Sequence, residues 1–356
     1  MTDATTWIAL ASMVVVMVVV VAVSVGFGGR SGRRMEGEGT MNELGAGRVA
    51  AVIVNPTKFD DLGAVTGRLT QIATGRGWAP PLIIETTEDD PGTGQARQAA
   101  DQGADVVCAL GGDGTVRAVA AALVGTDTPL GLLPGGTGNL LARNLDLPVD
   151  DLGEAFRVCL DGEDKRIDVG ILDVTVPGDT QEEPKDYVFL VMAGVGFDAD
   201  VMAQAPEGLK AQVGWAAYVV SGIRNLNGPR FGARVGFDDA RPEHRRIRSL
   251  IVGNVGRLQG GVELLPDAQV DDGKLDTVLL APKGVVGWGA VLARVLTKQR
   301  KGHHRVEHRV CTSLTVHLDR EQEVQLDGDP IGPATLLHAR VEPLALTVRV
   351  IPGSSG

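Results

Sequence analysis

Leu110-Gly111-Gly112-Asp113-Gly114-Thr115 is entered from a short apolar run, Ala104–Leu110, and left through another, Val116–Val124. That order is strand, glycine turn, helix. Gly111, Gly112 and Gly114 carry no Cβ, so the turn can take positive φ and let a ligand approach the backbone. The first N–H groups of the following helix lack intrahelical acceptors and favour an anion such as phosphate. Asp113 beside such an anion is explained by a divalent metal between the two, or by orientation of a hydroxyl. Thr115 can donate its hydroxyl to a phosphate oxygen. A glycine-closed turn with an aspartate N-cap explains the same six residues without a ligand.

A second unit of the same kind follows. Leu130–Leu133 is apolar, Pro134-Gly135-Gly136-Thr137-Gly138-Asn139 is the loop, and Leu140–Asn144 reads as helix. In an open parallel sheet two such crooks lie side by side at the carboxyl ends of the strands. Neither fits G-x-x-x-x-G-K-[ST], because no Lys follows the second glycine, and neither is G-x-G-x-x-G.

Upstream, Arg48–Val54 is a buried-type strand ending in Asn55-Pro56-Thr57-Lys58. Leu62–Thr74 reads as helix, Pro81–Glu85 as strand ending in Thr86-Thr87, and Gln95–Gly103 as helix with a glycine stop. This alternation predicts a parallel sheet with helices on both faces. From Arg166 the texture changes to short alternating segments: Ile167–Val176, Tyr187–Ala193, Phe231–Phe237, Arg248–Gly253 and Thr277–Leu280. They predict an antiparallel sandwich. Leu344–Val350 reads as a last strand. The expected fold is an α/β N-terminal nucleotide-binding domain with an open, mainly parallel sheet, and a β-rich antiparallel C-terminal sandwich. The expected divisions are 1–47 anchor and tether, 48–165 α/β domain, 166–335 β-rich domain, and 336–356 a segment packing back on the α/β domain.

A chain of 356 residues accommodates two domains, and its net charge of −11 argues against a nucleic-acid partner. Cys108, Cys159 and Cys311 sit among apolar neighbours without zinc-site spacing and fit a reducing compartment. Trp7–Phe27 contains no charged residue and is long enough, at about 1.5 Å per residue, to cross a hydrocarbon core of about 30 Å. Asp3 precedes it, and Arg30, Arg33 and Arg34 follow. The positive-inside rule then predicts a single-pass membrane anchor with the bulk of the chain in the cytoplasm. A cleaved signal peptide, the alternative, expects a basic segment in front. Gly28–Gly47 reads as a flexible tether. Asp267, Asp271, Asp272 and Asp276 crowd one loop, which is either solvated or a cation site. Arg294, Lys298, Arg300, Lys301, Arg305 and Arg309, with His303, His304 and His308, form a basic stretch. It is either a solvated helix end or a contact for anionic lipid.

The pair Gly111–Thr115 and Pro134–Asn139 resembles the catalytic domain of the diacylglycerol kinase and sphingosine kinase superfamily, particularly its soluble-type bacterial lipid kinases. The resemblance runs from about Arg48 to Ile351. It implies ATP-dependent transfer of a γ-phosphoryl group to a lipid hydroxyl, with Mg²⁺, at a membrane and often in a homodimer. Diacylglycerol is the expected acceptor, with a sphingoid base or ceramide as the alternative. The resemblance assigns nucleotide contacts to Asn55, Pro56, Thr57 and Thr87. It extends them to Gly111, Gly112, Asp113, Gly114 and Thr115, and to Gly135, Gly136, Thr137, Gly138 and Asn139. Asp113 would hold the metal at the β/γ-phosphates, and Asp271 matches a carboxylate that organises the catalytic centre. A structural Mg²⁺ would sit on the Asp272 side chain and the carbonyls of Gln269 and Lys274. Gly194-Val195-Gly196-Phe197-Asp198-Ala199 matches the mouth of the lipid pocket. The apolar run Trp215–Leu226 either lines that pocket or is a core helix.

The chain departs from the family pattern in two places. Arg117 and Ala118 stand where Asn and Glu are common, and Arg117 could instead reach a phosphate. In Asp327-Gly328-Asp329 the last residue replaces a Glu assigned as general base. Asp329 is shorter by one methylene, so the backbone must bring its carboxylate about 1.3 Å closer (roughly one C–C bond). NAD kinases and phosphofructokinases share the Gly-Gly-Asp-Gly turn but not the second loop at this distance. A non-catalytic lipid- or nucleotide-binding membrane protein is the remaining alternative, supported by Arg117, Ala118 and Asp329 alone.

Overall fold

The computed structural model describes residues 47–175, 185–196, 230–257, 264–281 and 306–353. The Trp7–Phe27 run, most of the Gly28–Gly47 tether, Phe197-Asp198-Ala199, Trp215–Leu226 and the basic residues from Arg294 to Arg305 lie outside them. Among the described residues no helix is long and apolar enough to cross a membrane.

Four strands form the parallel half: β1 (Ala50–Val54), β2 (Leu82–Glu85), β3 (Val106–Gly111) and β4 (Leu130–Pro134), in the order β2-β1-β3-β4. β1 and β3 are buried along their whole length, as continuous apolar runs in a parallel sheet covered on both faces must be. Helices α1 (Leu62–Gly75), α2 (Thr93–Asp101), α3 (Asp113–Leu123), α4 (Leu140–Asn144) and α5 (Leu152–Asp161) connect or cover them. Asp61 caps α1 by accepting from Ala64 N at 2.8 Å, and Asp151 caps α5 by accepting from Gly153 N at 2.8 Å. Leu69, Ala73 and Phe156 from α1 and α5 pack on Val52, Val54 and Cys108. Ile53 points to the other face, where a Cβ added at Gly92 would touch both it and Val119 of α3.

The other half is antiparallel: β5 (Glu163–Thr175), β6 (Lys185–Phe189), β7 (Met192–Val195), β8 (Phe231–Phe237), β9 (Glu243–Ile247), β10 (Ser249–Gly253), β11 (Leu275–Leu280), β12 (Val306–Cys311), β13 (Ser313–Leu326) and β14 (Asp329–Val350). A register break in β13 between His317 and Gln322 divides its pairing. Residues 314–318 pair with β8, and residues 324–326 pair with β7. Phe189, Phe231, Leu250, Val316 and Leu337 meet in the sandwich core. Arg245 of β9 and Glu307 of β12 join across 3.4 Å.

The two halves share one hydrogen-bonded sheet. β14 pairs with β13 and β5, loses register between Glu342 and Leu346, and then aligns Val348 with Leu130 of β4 in parallel. Pro343 removes a donor at that break, and Leu344 takes φ 49°. The break is held by Asp168, which is fully buried. Its carboxylate accepts from Leu344 N at 2.7 Å and from Gly273 N at 2.6 Å.

Tyr187–Ala193, expected as one strand, is two. β6 and β7 separate at Leu190-Val191 because the buried Asp327 carboxylate takes the backbone donors there. It accepts from Leu190 N at 3.2 Å and from Val191 N and Met192 N at 2.9 Å. Alternation along the segment carries no trace of a side chain arriving from far along the chain.

Replacing Asp168 by Ala would leave the N–H groups of Leu344 and Gly273 without their acceptor. The expected loss is about 2–4 kcal/mol of unfolding free energy in urea titration, with no change of secondary structure in the remaining folded fraction.

Candidate active site

The carboxyl ends of the parallel strands are level: Val54 aligns with Glu85 and Leu110, and Gly111 with Pro134. The loops carrying Asn55, Thr87, Gly111–Gly114 and Gly135–Asn139 therefore leave from one edge of the sheet. Asn55 N donates to Leu110 O at 3.1 Å. The Asn55 side-chain oxygen accepts from Thr57 N at 3.1 Å and from Thr57 Oγ1 at 2.7 Å, which starts a 3₁₀ turn over Pro56–Lys58. Thr87 closes its own turn, accepting at Oγ1 from Asp90 N at 3.1 Å.

The two glycine loops lie backbone on backbone. Gly135 N donates to Gly111 O at 3.0 Å. A Cβ on Gly135 would lie 2.9 Å from Gly111 Cα, and one on Gly136 would lie 2.8 Å from Gly112 Cα. Neither backbone can retreat without breaking the strand register below it. Asn139, at φ 47°, folds the second loop on itself by donating to Gly136 O at 2.8 Å. Asp113 joins the loops. Its Oδ1 accepts from Leu140 N at 2.7 Å, and its Oδ2 occupies the space that a side chain on Gly138 would need.

Burial pushes the Asp113 carboxyl above the usual range for an aspartate. The Leu140 and Asn139 N–H groups pull it back, and the charge of Asp329 pushes the same way as burial. Thr115 is buried, with Oγ1 turned against Gly111, while Thr137 is exposed.

The β-rich half contributes the hairpin between β13 and β14. Asp327 (φ 49°) and Gly328 (φ 96°) both have positive φ, as the type I′ class requires. The turn sets Asp329 over α3: a Cβ on Gly114 would come within 3.0 Å of Asp329 Oδ2. Arg117, one turn along α3, donates from Nη1 to Leu326 O at 2.6 Å and from Nη2 to Asp329 Oδ2 at 2.8 Å. Burial raises the Asp327 pKa, while Arg117 and the three N–H donors oppose that rise.

The acidic loop is a separate cluster. Asp271 pairs with Lys165 at 3.1 Å. Lys165 aligns with Val348, and Val348 with Leu130, at the opposite end of β4 from the glycine loop. Asp272 Oδ1 accepts from Lys274 N at 3.0 Å, with Lys274 Nζ 3.8 Å from Oδ2, and Gln269 is exposed on the same loop. Asp276 is pushed up to about 6 by burial and by the charges of Asp272 and Asp267. Among the described residues no three His, Cys, Asp or Glu side chains converge at metal-binding distance. One carboxylate supported by carbonyls is a different kind of site.

The fold thus brings Asp113, Asp329 and both glycine loops together and holds Asp271, Asp272, Gln269 and Lys274 apart from them. Two further residues enter the site. Phe59 lies against the second loop, where a Cβ on Gly135 would meet its Cζ at 3.1 Å. Asp327 anchors the hairpin that carries Asp329. Its Asp-Gly dipeptide signals a tight hairpin, but no local pattern signals its burial.

Residues 49–172 match the family model described as diacylglycerol kinase catalytic domain. Residues 191–350 match the model described as YegS C-terminal NAD kinase beta sandwich-like domain. A protein of Cronobacter sakazakii named "Probable lipid kinase YegS-like" is 30% identical over 283 residues, covering 76% of this chain and 87% of its own length. A diacylglycerol kinase of Staphylococcus saprophyticus is 26% identical over 298 residues, covering 82% of this chain and 92% of its own. The crystal structure of a diacylglycerol kinase from Bacillus anthracis superposes with a TM-score of 0.66 at 22% identity, over 86% of this chain and 97% of that one, a likeness of fold.

Gly135→Ala forces a methyl group into the Gly111 backbone and is expected to cost about 1–3 kcal/mol, read as a lowered thermal midpoint. Gly112→Ala, whose Cβ would meet no atom within 4 Å, is expected to leave the midpoint unchanged.

Proposed function

We propose, for a chain that belongs to the family of diacylglycerol kinases and YegS-like lipid kinases, that it transfers the γ-phosphoryl group of ATP to diacylglycerol, giving phosphatidic acid. Kinase activity comes with the family; the acceptor and the residue roles are our reading. The observation that carries it is the position of Asp329, whose carboxylate lies over Gly114 on the same turn as Asp113.

Phosphoryl transfer asks the protein for in-line positioning and charge neutralisation more than for covalent chemistry. The glycine loops would present backbone N–H donors at the level strand ends, and Thr137 would add a hydroxyl. Asn55, Pro56, Thr57 and Thr87 line the same edge. Asp113 suits a divalent cation. Its carboxyl is raised by burial and by a second carboxylate, and a bound cation would offset both. Mg²⁺ held there would supply countercharge for the β- and γ-phosphates in a site without a P-loop lysine. Asp329, its carboxylate about half exposed, would accept the proton of the attacking hydroxyl. Asp272, with the carbonyls of Gln269 and Lys274, would hold a structural Mg²⁺ that relieves the crowding around Asp276. Asp271 would brace that loop through Lys165.

A lipid acceptor also suits the Trp7–Phe27 run. As a single-pass anchor it would confine the cytoplasmic domain to the surface where such substrates lie. The chain without residues 1–46 should leave the membrane pellet for the soluble fraction and still phosphorylate diacylglycerol in mixed micelles.

Asp113→Asn keeps an oxygen for Leu140 N and removes the charge. It should lower radiolabel transfer from ATP to diacylglycerol at least about 100-fold at an unchanged thermal midpoint. Full transfer in this variant would remove the mechanism, and label on sphingoid base or ceramide instead of diacylglycerol would reassign the acceptor.

A further inference from the structure

We propose that Arg117 is the positioning residue for Asp329: its guanidinium spans the β13–β14 hairpin and fixes the carboxylate over the first turn of α3. This rests on the reading of Asp329 as proton acceptor and adds the residue that makes a short, half-exposed carboxylate fit for that task.

The geometry is specific. Nη1 of Arg117 donates to Leu326 O at 2.6 Å, and Nη2 donates to Asp329 Oδ2 at 2.8 Å. Leu326 and Asp329 face each other across the two-residue turn, so one planar fork grips both ends of the hairpin. Arg117 itself is well covered, with 19% of its side chain exposed, whereas Asp329 keeps 54%. The arginine is the fixed partner and the aspartate the held one. Among the described residues Arg117 makes the only hydrogen bond to the Asp329 side chain. An exposed aspartate without such a tether would sample several χ1 rotamers.

An ion pair this exposed adds little to stability, so its value lies in orientation. The turn has no other means to provide it. Its interior carboxylate, Asp327, is committed to the N–H groups of Leu190, Val191 and Met192. The grip also crosses between the halves of the fold, from a helix that follows the first glycine loop to a hairpin of the sandwich. The two positions that the resemblance marks as departures are therefore in contact. Arginine at 117 is long enough to reach the hairpin, and the shorter acid at 329 is the one it meets.

The test uses the full chain with ATP and diacylglycerol in mixed micelles. Arg117→Met should lower kcat at least about tenfold, with KM for ATP within about twofold and the thermal midpoint unchanged. Arg117→Lys, which keeps the charge without the planar fork, should recover only part of kcat. In an Asp329→Asn background Arg117→Met should lower the residual turnover no further, because the held group no longer takes a proton. The proposal is overturned if Arg117→Met leaves kcat unchanged, if it acts only by raising KM for ATP, if Arg117→Lys restores wild-type kcat, or if the two substitutions multiply. If Asp329→Asn alone turns over like the wild type, the proton-acceptor role fails, and the positioning role with it. Loss of activity in Asp329→Asn beside normal kcat in Arg117→Met sinks the positioning role alone.

Discussion

A hydrogen bond of 3.0 Å between Gly135 N and Gly111 O holds two loop backbones so close that no side chain fits between them. The contact exists because β3 and β4 are adjacent, parallel and level at their carboxyl ends, so the chains leaving them must pass each other immediately. Glycine at these positions removes the steric conflict. Asp113 and Asn139 then fix the loop conformations by accepting from and donating to neighbouring backbone groups. The result is a pair of loop backbones whose conformation is set by the sheet rather than by flexible side chains. Such rigidity is what positioning of a triphosphate demands.

That surface would be half a site without the antiparallel half of the chain. β14 reaches both places. Its first residue, Asp329, stands over α3, and near its end Val348 aligns with Leu130 of β4. Between them Pro343 and Leu344 break the register, and buried Asp168 collects the donors the break leaves over. One strand thus ties the parallel sheet to the sandwich, and the hairpin at its start is delivered to the glycine loops as part of a hydrogen-bonded framework.

Three carboxylates and one guanidinium then set the electrostatics. Asp113 and Asp327 are both pushed up by burial, and each is partly compensated by backbone N–H groups. Asp329 remains half exposed and has Arg117 as its cation. The environments differ: a carboxylate among backbone donors between the glycine loops, a structural one sealed in the hairpin, and an accessible one held at its tip. The acidic loop forms a second, independent concentration of charge at the far end of β4, with Lys165 and Lys274 as its partners.

The amino-acid sequence by itself determined most of the parallel half. The apolar runs, the Asp and Gly punctuation and the two glycine loops are local signals, and the strands fall within two residues of where those signals end, whereas α3 starts three residues before its apolar run, at Asp113, and α5 (Leu152–Asp161) is not among the elements those signals predict. The run Leu140–Asn144 is helical as read, and the antiparallel region opens at Glu163, three residues before the expected Arg166. What only the tertiary structure decided are contacts between residues far apart in the chain. Asp327 splits the expected Tyr187–Ala193 strand, Asp168 is the anchor of a loop a hundred residues away, and Thr115 turns inward against Gly111. Arg117 meets a hairpin carboxylate. Sequence patterning records which face of an element is apolar, because that is a periodic property of the element. It does not record which polar group will satisfy a buried donor elsewhere, because that depends on where folding brings the two backbones together.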